Sequence, residues 1–186
     1  MRLNLPNVLT WLRIVAIPAV VVLFYIPTGW ADRAAGLLFA AAAITDSLDG
    51  YFARRMGLTS RLGAFLDPVA DKLIVAVALV LLVSKDPGMV MTLTAAVIIG
   101  REIAISALRE WMAELGERKR VAVSALGKWK TILQMTGLSF LLYRVPLWGI
   151  DTYAVGRVLT IVAAVLTLVS MVAYLQIAWP MFREEK

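Results

Sequence analysis

Long apolar runs separated by short polar breaks dominate the chain and predict a helical membrane protein. A membrane-spanning helix needs about 20 mostly apolar residues. Runs close to this length lie at roughly 9–26, 34–52, 62–84, 89–108, 126–143 and 153–178. Proline and glycine punctuate the breaks between them, as is usual for loops. The pattern therefore predicts a single all-α domain over residues 1–186, with six transmembrane helices.

The residues before the first run predict a short N-terminal surface segment. Asn4, Pro6, Asn7 and Thr10 bring polarity and a helix breaker to this part of the chain. No small-residue cleavage site follows the first apolar run, so the pattern does not match a secretory signal peptide. We expect this segment to lead directly into the first membrane helix.

Composition narrows the chemistry that the protein can perform. Of the 186 residues, 61% are hydrophobic, against about 45–50% in soluble proteins. The chain has no cysteine and no histidine, which excludes disulfides, thiolate metal sites and a histidine general base. A general base near neutral pH must then be a carboxylate, a lysine or a tyrosine. The net charge of +6, in so apolar a chain, indicates contact with anionic lipid rather than nucleic acid.

The distribution of positive charge predicts the orientation in the membrane. If the first helix starts in the cytosol, most of the 19 lysines and arginines fall at the cytosolic ends of the helices or in cytosolic loops. The opposite side keeps only Arg33, Lys85, Arg144 and Arg157. The positive-inside rule therefore places both termini in the cytosol.

Four aspartates at the edges of the second and third apolar runs are the main candidate site. Asp46 and Asp49 are three residues apart, and Asp67 and Asp71 are four apart, so each pair shares a helix face. The connection between the two helices is short, and we expect the helices to be antiparallel neighbours whose carboxylates converge. Ionisable groups in such a setting are a functional-site hypothesis by default.

Four carboxylates in one site must protonate, pair with cations or bind metal. Oxygen ligands without histidine or cysteine favour Mg²⁺ or Mn²⁺. Two such ions form a clamp suited to phosphoryl or phosphonucleotidyl transfer. The alternative is structural ion pairing with basic residues, of which the candidates are Arg54, Arg61, Lys72 and Arg101.

Small residues and one arginine adjoin the aspartates. Gly50, Ala53 and Gly63 leave room for a ligand to approach the helix backbone. Arg54 lies about one helical turn after Gly50, and its planar guanidinium suits a diphosphate. The glycines also fit a role in close helix packing alone, as small residues often have in membranes.

The spacing of these residues resembles the signature of the CDP-alcohol phosphatidyltransferase family. The pattern Asp46-x2-Asp49-Gly50-x2-Ala53-Arg54-x8-Gly63-x3-Asp67-x3-Asp71 matches that signature at all eight fixed residues. The segments "NLPNVLTWLRIVAIP", "DPVADKLIVA", "IIGREIAISALRE" and "GKWKTILQM" extend the resemblance to one bacterial branch. The resemblance covers nearly the whole chain, and the final helix is its least diagnostic part.

The resemblance implies transfer of a phosphatidyl group from CDP-diacylglycerol to sn-glycerol 3-phosphate. It implies two metal ions on Asp46, Asp49, Asp67 and Asp71, with Asp71 also as general base. It implies that the CDP moiety lies near Asn7, Thr10, Thr45, Gly50, Ala53, Arg54, Ser60 and Gly63. The acceptor phosphate needs cations, and the candidates are Arg101, Arg109, Lys128 and Lys130. A homodimer in the bacterial inner membrane, with its active site facing the cytosol, is implied as well.

Several of these residues also allow an interpretation without a catalytic or substrate-binding role. Asn7 and Thr10 also suit a polar entry and a helix N-cap. Arg109 and the two lysines also suit interface positions from which they reach lipid headgroups. Arg118, Lys119 and Arg120 form a run more typical of a solvated or lipid-phosphate surface.

Rival functions make different demands on the sequence. The same signature also serves enzymes whose acceptor is serine, inositol phosphate or another alcohol. The basic residues of the fourth and fifth helices imply an anionic acceptor and argue against serine. An ion-coupled transporter would place its carboxylates near the bilayer midplane on broken, internally repeated helices, and no such repeat is visible. A prenyl-diphosphate transferase also uses aspartate clusters, but the arginine, glycine and second aspartate pair fit it poorly.

Overall fold

The computed structural model describes residues 5–56, 61–114 and 125–183, with side chains at 8–46, 63, 65–114, 129–176 and 179. Within these ranges the chain forms six α-helices and no strand. They are α1 (Leu5–Tyr25), α2 (Gly29–Met56), α3 (Arg61–Lys85), α4 (Met89–Glu114), α5 (Ala125–Tyr143) and α6 (Thr152–Arg183). The all-α prediction is confirmed, and each predicted apolar run lies on one of these helices.

Helix ends follow local chemistry. Asp151 caps α6, because its Oδ1 accepts hydrogen bonds from the backbone N–H groups of Tyr153 (2.9 Å) and Ala154 (3.1 Å), which satisfies two donors of the first turn. At the end of α5, Arg144 takes a left-handed conformation with φ of 55°, as is common just after a helix. Pro18 and Pro68 lie inside α1 and α3, where neighbouring helices make interior proline tolerable.

The helix packing corrects one prediction. α2 and α3 were expected to be direct neighbours, but among the described residues α1 packs against both of them, while α2 also packs along α5. In the described part of the chain, the short α2–α3 connection therefore does not bring the two acidic helices into extensive contact. A physical reason is that α1 places a basic side chain, Arg13, against carboxylates from both helices.

Glycines allow the closest helix contacts. A Cβ at Gly137 of α5 would lie 2.5 Å from Thr160 Oγ1, and one at Gly156 of α6 would lie 2.8 Å from the carbonyl oxygen of Gly137. A Cβ at Gly36 of α2 would lie 2.6 Å from the Cβ of Tyr143. Contacts this close require residues without side chains, as in many membrane-helix pairs.

Apolar side chains fill the interior and also cover the outside of the bundle. The core includes Phe39, Leu79, Leu82, Ile98, Leu138 and Leu141, from α2 to α5. Exposed valines line the outer face of α6 at positions 158, 162, 165, 169 and 172. Within the described residues, the segments Val8–Tyr25, Met89–Glu114 and Thr152–Gln176 are long and apolar enough to cross a membrane. The protein is therefore a helical membrane protein.

Candidate active site

A cavity of about 480 Å³ opens among the helices and contains most of the predicted site residues that the structure describes. Asp46 of α2 and Asp67 and Asp71 of α3 form an acidic wall. Arg101 and Arg109 of α4 and Lys130 of α5 form a basic wall. One side of the cavity thus suits cations and the other suits anions.

Arg13 of α1 contacts two aspartates of the acidic wall. Its side chain is only 1% exposed. Nη2 lies 3.2 Å from Oδ1 of Asp46, and Nη1 donates a hydrogen bond to Oδ1 of Asp71. One guanidinium therefore bridges carboxylates from two helices, a task suited to the rigid arginine fork.

Thr10 lies one helical turn before Arg13 on α1 and is also buried. Its Oγ1 donates a hydrogen bond to Oδ1 of Asp67. α1 thus orients all three described aspartates of the cavity through two side chains. Such partners of ligating carboxylates fix the direction in which the remaining lone pairs point.

Glu102 organises the basic wall. Its Oε1 accepts hydrogen bonds from Arg101 Nη1 at 2.7 Å and from Lys130 Nζ at 2.8 Å. Arg101 Nη2 also donates to Ser170 Oγ of α6 at 3.1 Å. A single carboxylate therefore holds two cations from different helices at one side of the cavity.

Arg109 contacts a side chain of α6. Its Nη2 donates to the hydroxyl of Tyr174 at 2.8 Å, and its guanidinium carbon lies 5.1 Å from the centre of that ring. This is the geometry of a cation–π contact. Arg101, Arg109 and Lys130 together bring three positive charges against the one negative charge of Glu102, so the wall keeps an excess that an anion would neutralise.

Two buried polar atoms at this cavity lack a hydrogen-bond partner in the described part of the structure. They are Nε of Arg101 and Oε1 of Gln134, on side chains 7% and 4% exposed. Buried polar groups are almost always satisfied in native proteins. An unsatisfied donor and an unsatisfied acceptor therefore lie beside this cavity among the described residues.

The acidic wall has the chemistry of a divalent-metal site. Its donors are all carboxylate oxygens, which suit Mg²⁺ or Mn²⁺. Among the described side chains no three acidic residues converge closely enough to hold an ion, but the side chain of Asp49 lies outside the described set. A carboxylate offers about four lone-pair sites, so one bond from Arg13 or Thr10 uses part of its capacity. The donor set therefore fits a metal site.

The other predicted residues divide into two groups. Thr45 is half-buried and donates to the carbonyl oxygen of Ala42 at 2.8 Å, and Gly63 is buried near the start of α3; neither lines the cavity. Ser60 and the side chains of Asn7, Asp49, Gly50, Ala53, Arg54 and Lys128 lie outside the described residues.

Three residues of the site were not predicted from the sequence: Arg13, Glu102 and Gln134. Arg13 was counted only among the cations that set the orientation, although an arginine four residues into an apolar run is itself a signal of an internal partner. Glu102 carries the same signal within the α4 run. Gln134 is one of several polar residues of α5, a weaker signal, because polar side chains also serve in the packing of membrane helices.

Comparisons with known proteins identify the family of the chain. The family model for CDP-alcohol phosphatidyltransferase matches residues 3–181. A CDP-diacylglycerol–glycerol-3-phosphate 3-phosphatidyltransferase from Salmonella choleraesuis is 53% identical over 178 residues, which cover 96% of each chain. Proteins of the same name from Escherichia coli K12 and Shigella flexneri are 53% and 52% identical, again over 96% of each chain.

Proposed function

The chain belongs to the CDP-alcohol phosphatidyltransferase family, and we propose a mechanism in which its acidic wall binds metal and its basic wall binds the acceptor. The enzyme transfers the phosphatidyl group of CDP-diacylglycerol to glycerol 3-phosphate, the reaction named for its relatives. The products are phosphatidylglycerol phosphate and CMP. The observation that carries the mechanism is the single cavity with aspartates on one side and fixed cations on the other.

The aspartates would hold two Mg²⁺ or Mn²⁺ ions. The donors are Asp46, Asp67 and Asp71 from the described cavity, with Asp49 from the family signature. When bound, the ions supply positive charge to the diphosphate of the donor and acidify the attacking hydroxyl. The protein's own part is to aim the carboxylates, which Arg13 and Thr10 do from α1.

Asp71 is proposed to take the proton of the acceptor hydroxyl. The hydroxyl oxygen then forms a bond to the phosphorus of the phosphatidyl group, and the bond from that phosphorus to the CMP oxygen breaks. The proton ends on a carboxylate oxygen of Asp71, and the electron pair leaves with CMP. Asp71 suits this role because it lines the cavity and Arg13 fixes its orientation.

The donor nucleotide is proposed to lie near the signature residues of α2 and the start of α3. These are Thr45, Gly50, Ala53, Arg54, Ser60 and Gly63, with Asn7 and Thr10 contributed by the N-terminal region. The contact between Thr10 and Asp67 supports a further task for Thr10, which is to orient a metal ligand.

The acceptor phosphate is proposed to bind the basic wall through Arg101, Arg109 and Lys130, with Lys128 one half-turn before Lys130 as a further candidate. Arg101 is the strongest candidate, because its buried Nε has no partner in the described residues. A phosphate dianion at this position would satisfy that donor and balance the excess positive charge.

Replacing Arg101 by Ala is expected to raise the KM for glycerol 3-phosphate by about 10- to 150-fold, since a charge-assisted hydrogen bond is worth about 1.5–3 kcal/mol. The KM for CDP-diacylglycerol should change little. The assay uses purified protein, labelled CDP-diacylglycerol and a panel of acceptor alcohols that includes serine, which the wild type should not use. Arg33→Ala, in an exposed residue near the start of α2, is the control. Equal effects on both substrates would show that Arg101 is only structural.

Arg13→Met is expected to lower turnover by about 10- to 100-fold, the usual effect of losing a partner of metal-binding ligands. Methionine keeps much of the length but removes the fork that joins Asp46 to Asp71. The turnover of Arg13→Lys should lie between that of the wild type and that of Arg13→Met, because lysine keeps the positive charge but lacks the planar guanidinium. Turnover is measured across a Mn²⁺ titration, below the unfolding temperature of each variant. Unchanged turnover in Arg13→Met would reduce Arg13 to a packing residue.

The membrane arrangement is proposed to be six spans with both termini and the cavity on the cytosolic side of the bacterial inner membrane. The distribution of cations supports this orientation. Lys85 and Arg144 line one cavity, so α3 and α5 end on the same side, as six successive spans require. We also propose a homodimer, on the family resemblance alone.

A further inference from the structure

Gln134 places an amide group in the cavity that the mechanism above does not use. Its side chain is 4% exposed and lines the cavity together with Lys130 and Asp71. Its Oε1 has no hydrogen-bond partner in the described part of the structure. A buried carbonyl oxygen without a donor is costly, so the arrangement favours a ligand that brings an O–H or N–H group to this point.

Gln134 lies about one helical turn deeper in the bundle than Asp71. α3 and α5 end on the same side, because Lys85 and Arg144, at the ends of these helices, line one small cavity there. Counted from that end, Asp71 lies 14 residues before Lys85 and Gln134 nine residues before Tyr143. At a rise of 1.5 Å per residue, these distances are about 21 Å and about 14 Å, so the two side chains line the same cavity at neighbouring levels.

Lys130 lies one turn before Gln134 on the same face of α5, because residues four apart are neighbours on a helix. The acceptor is proposed to place its phosphate at Lys130 and Arg101 and its attacking hydroxyl at Asp71. Glycerol 3-phosphate carries one more polar group, the hydroxyl on its middle carbon, between these two ends. That hydroxyl is a hydrogen-bond donor, and Gln134 Oε1 is an acceptor.

We propose that Gln134 Oε1 accepts a hydrogen bond from the middle hydroxyl of the acceptor and selects acceptors that carry it. The inference rests on the proposed binding of the acceptor between the basic wall and Asp71. It assigns to Gln134 a role in specificity, beyond the phosphate recognition given to Arg101, Arg109 and Lys130.

The test compares glycerol 3-phosphate with 3-hydroxypropyl phosphate, which has the same phosphate and terminal hydroxyl but lacks the middle one. A site built to hydrogen-bond a hydroxyl rejects the analogue that lacks it. We expect wild-type kcat/KM to be about 10- to 100-fold lower for the analogue. In Gln134→Met, which has a similar shape without the acceptor oxygen, the two substrates should differ by less than about threefold, mainly through loss of activity on glycerol 3-phosphate.

Two further variants separate selection from general damage. Gln134→Glu keeps an acceptor oxygen and should keep the preference, while its negative charge raises the KM for both phosphorylated acceptors. Gln176→Met changes the chain's only other glutamine, an exposed residue of α6, and should behave as the wild type.

The outcomes are distinguishable. Loss of the preference in Gln134→Met with its retention in Gln134→Glu supports the inference. The same preference in Gln134→Met as in the wild type, or no preference in the wild type, overturns it while leaving the proposed mechanism intact. A wild-type enzyme that does not turn over glycerol 3-phosphate at all overturns both.

Discussion

Removal of divalent metal is expected to stop transfer of the phosphatidyl group completely. The chain has no histidine and no cysteine, so the aspartates are the only strong metal ligands that the signature provides. Without ions, the acidic wall would present the negative charge of its aspartates to a negatively charged diphosphate, and Arg13 offsets only part of that charge. The measurement is release of labelled CMP from CDP-diacylglycerol after dialysis against EDTA, followed by titration with Mg²⁺ or Mn²⁺, which should restore activity.

Ca²⁺ is the matched control for the charge of the ion. It carries the same charge but prefers six to eight ligands at longer distances, so it should bind the aspartates and support little or no turnover. The EDTA-treated protein should still show a thermal unfolding transition, which would establish that its helices remain folded without metal. Full turnover in EDTA would end the metal proposal and leave Arg13 as the counter-charge of the aspartates.

The helices could be predicted from the sequence because each one carries a long apolar run. The ends were less predictable. The fourth run was expected to end at residue 108, but α4 continues to Glu114. Arg109 and Glu110 interrupt the apolar pattern without interrupting the helix, since charged residues are good helix formers. Hydropathy indicates which part of a helix contacts lipid, but it does not indicate where the backbone hydrogen bonds of the helix end.

The packing order could not be predicted, because the length of a loop limits the distance between helix ends only. The four residues between α2 and α3 allow the helices to diverge, and α1 packs against both. The choice depends on side chains from a third helix, Arg13 above all, which relieves the repulsion between carboxylates on α2 and α3. The hydropathy pattern of a single helix contains no information on contacts made by a third helix.

The aspartates and the cations of the cavity could be named from the sequence, but their partners on other helices could not. Asp67 and Asp71 share a helix, so their spacing fixes their common face. The partnership of Glu102 with Lys130 joins α4 to α5, and that of Arg109 with Tyr174 joins α4 to α6. Contacts of this kind depend on the rotation and the relative height of separate helices, which one sequence does not give.

The variants Asp71→Asn and Asp49→Asn are expected to fail in different ways, which separates the proposed base from a ligand. Asp71→Asn keeps the shape and one oxygen but loses the charge and the basicity. Binding of CDP-diacylglycerol should partly survive, because three aspartates remain, while turnover should fall by about 10²–10⁴-fold, the typical contribution of a general base. Asp49→Asn should weaken the binding of metal and of CDP-diacylglycerol together, so that high Mn²⁺ restores part of its activity.

The decisive measurement is binding of CDP-diacylglycerol beside turnover for both variants across a Mn²⁺ titration. Asp32→Asn, at the opposite end of α2, is the control and should match the wild type. Because Arg13 also contacts Asp71, the unfolding temperature of Asp71→Asn shows whether the loss is local. If Asp71→Asn binds the donor and stays inactive at every metal concentration, Asp71 is the base. Recovery of Asp71→Asn with metal, as expected for Asp49→Asn, would make Asp71 a ligand alone, and the proton of the acceptor would need another carboxylate of the cavity.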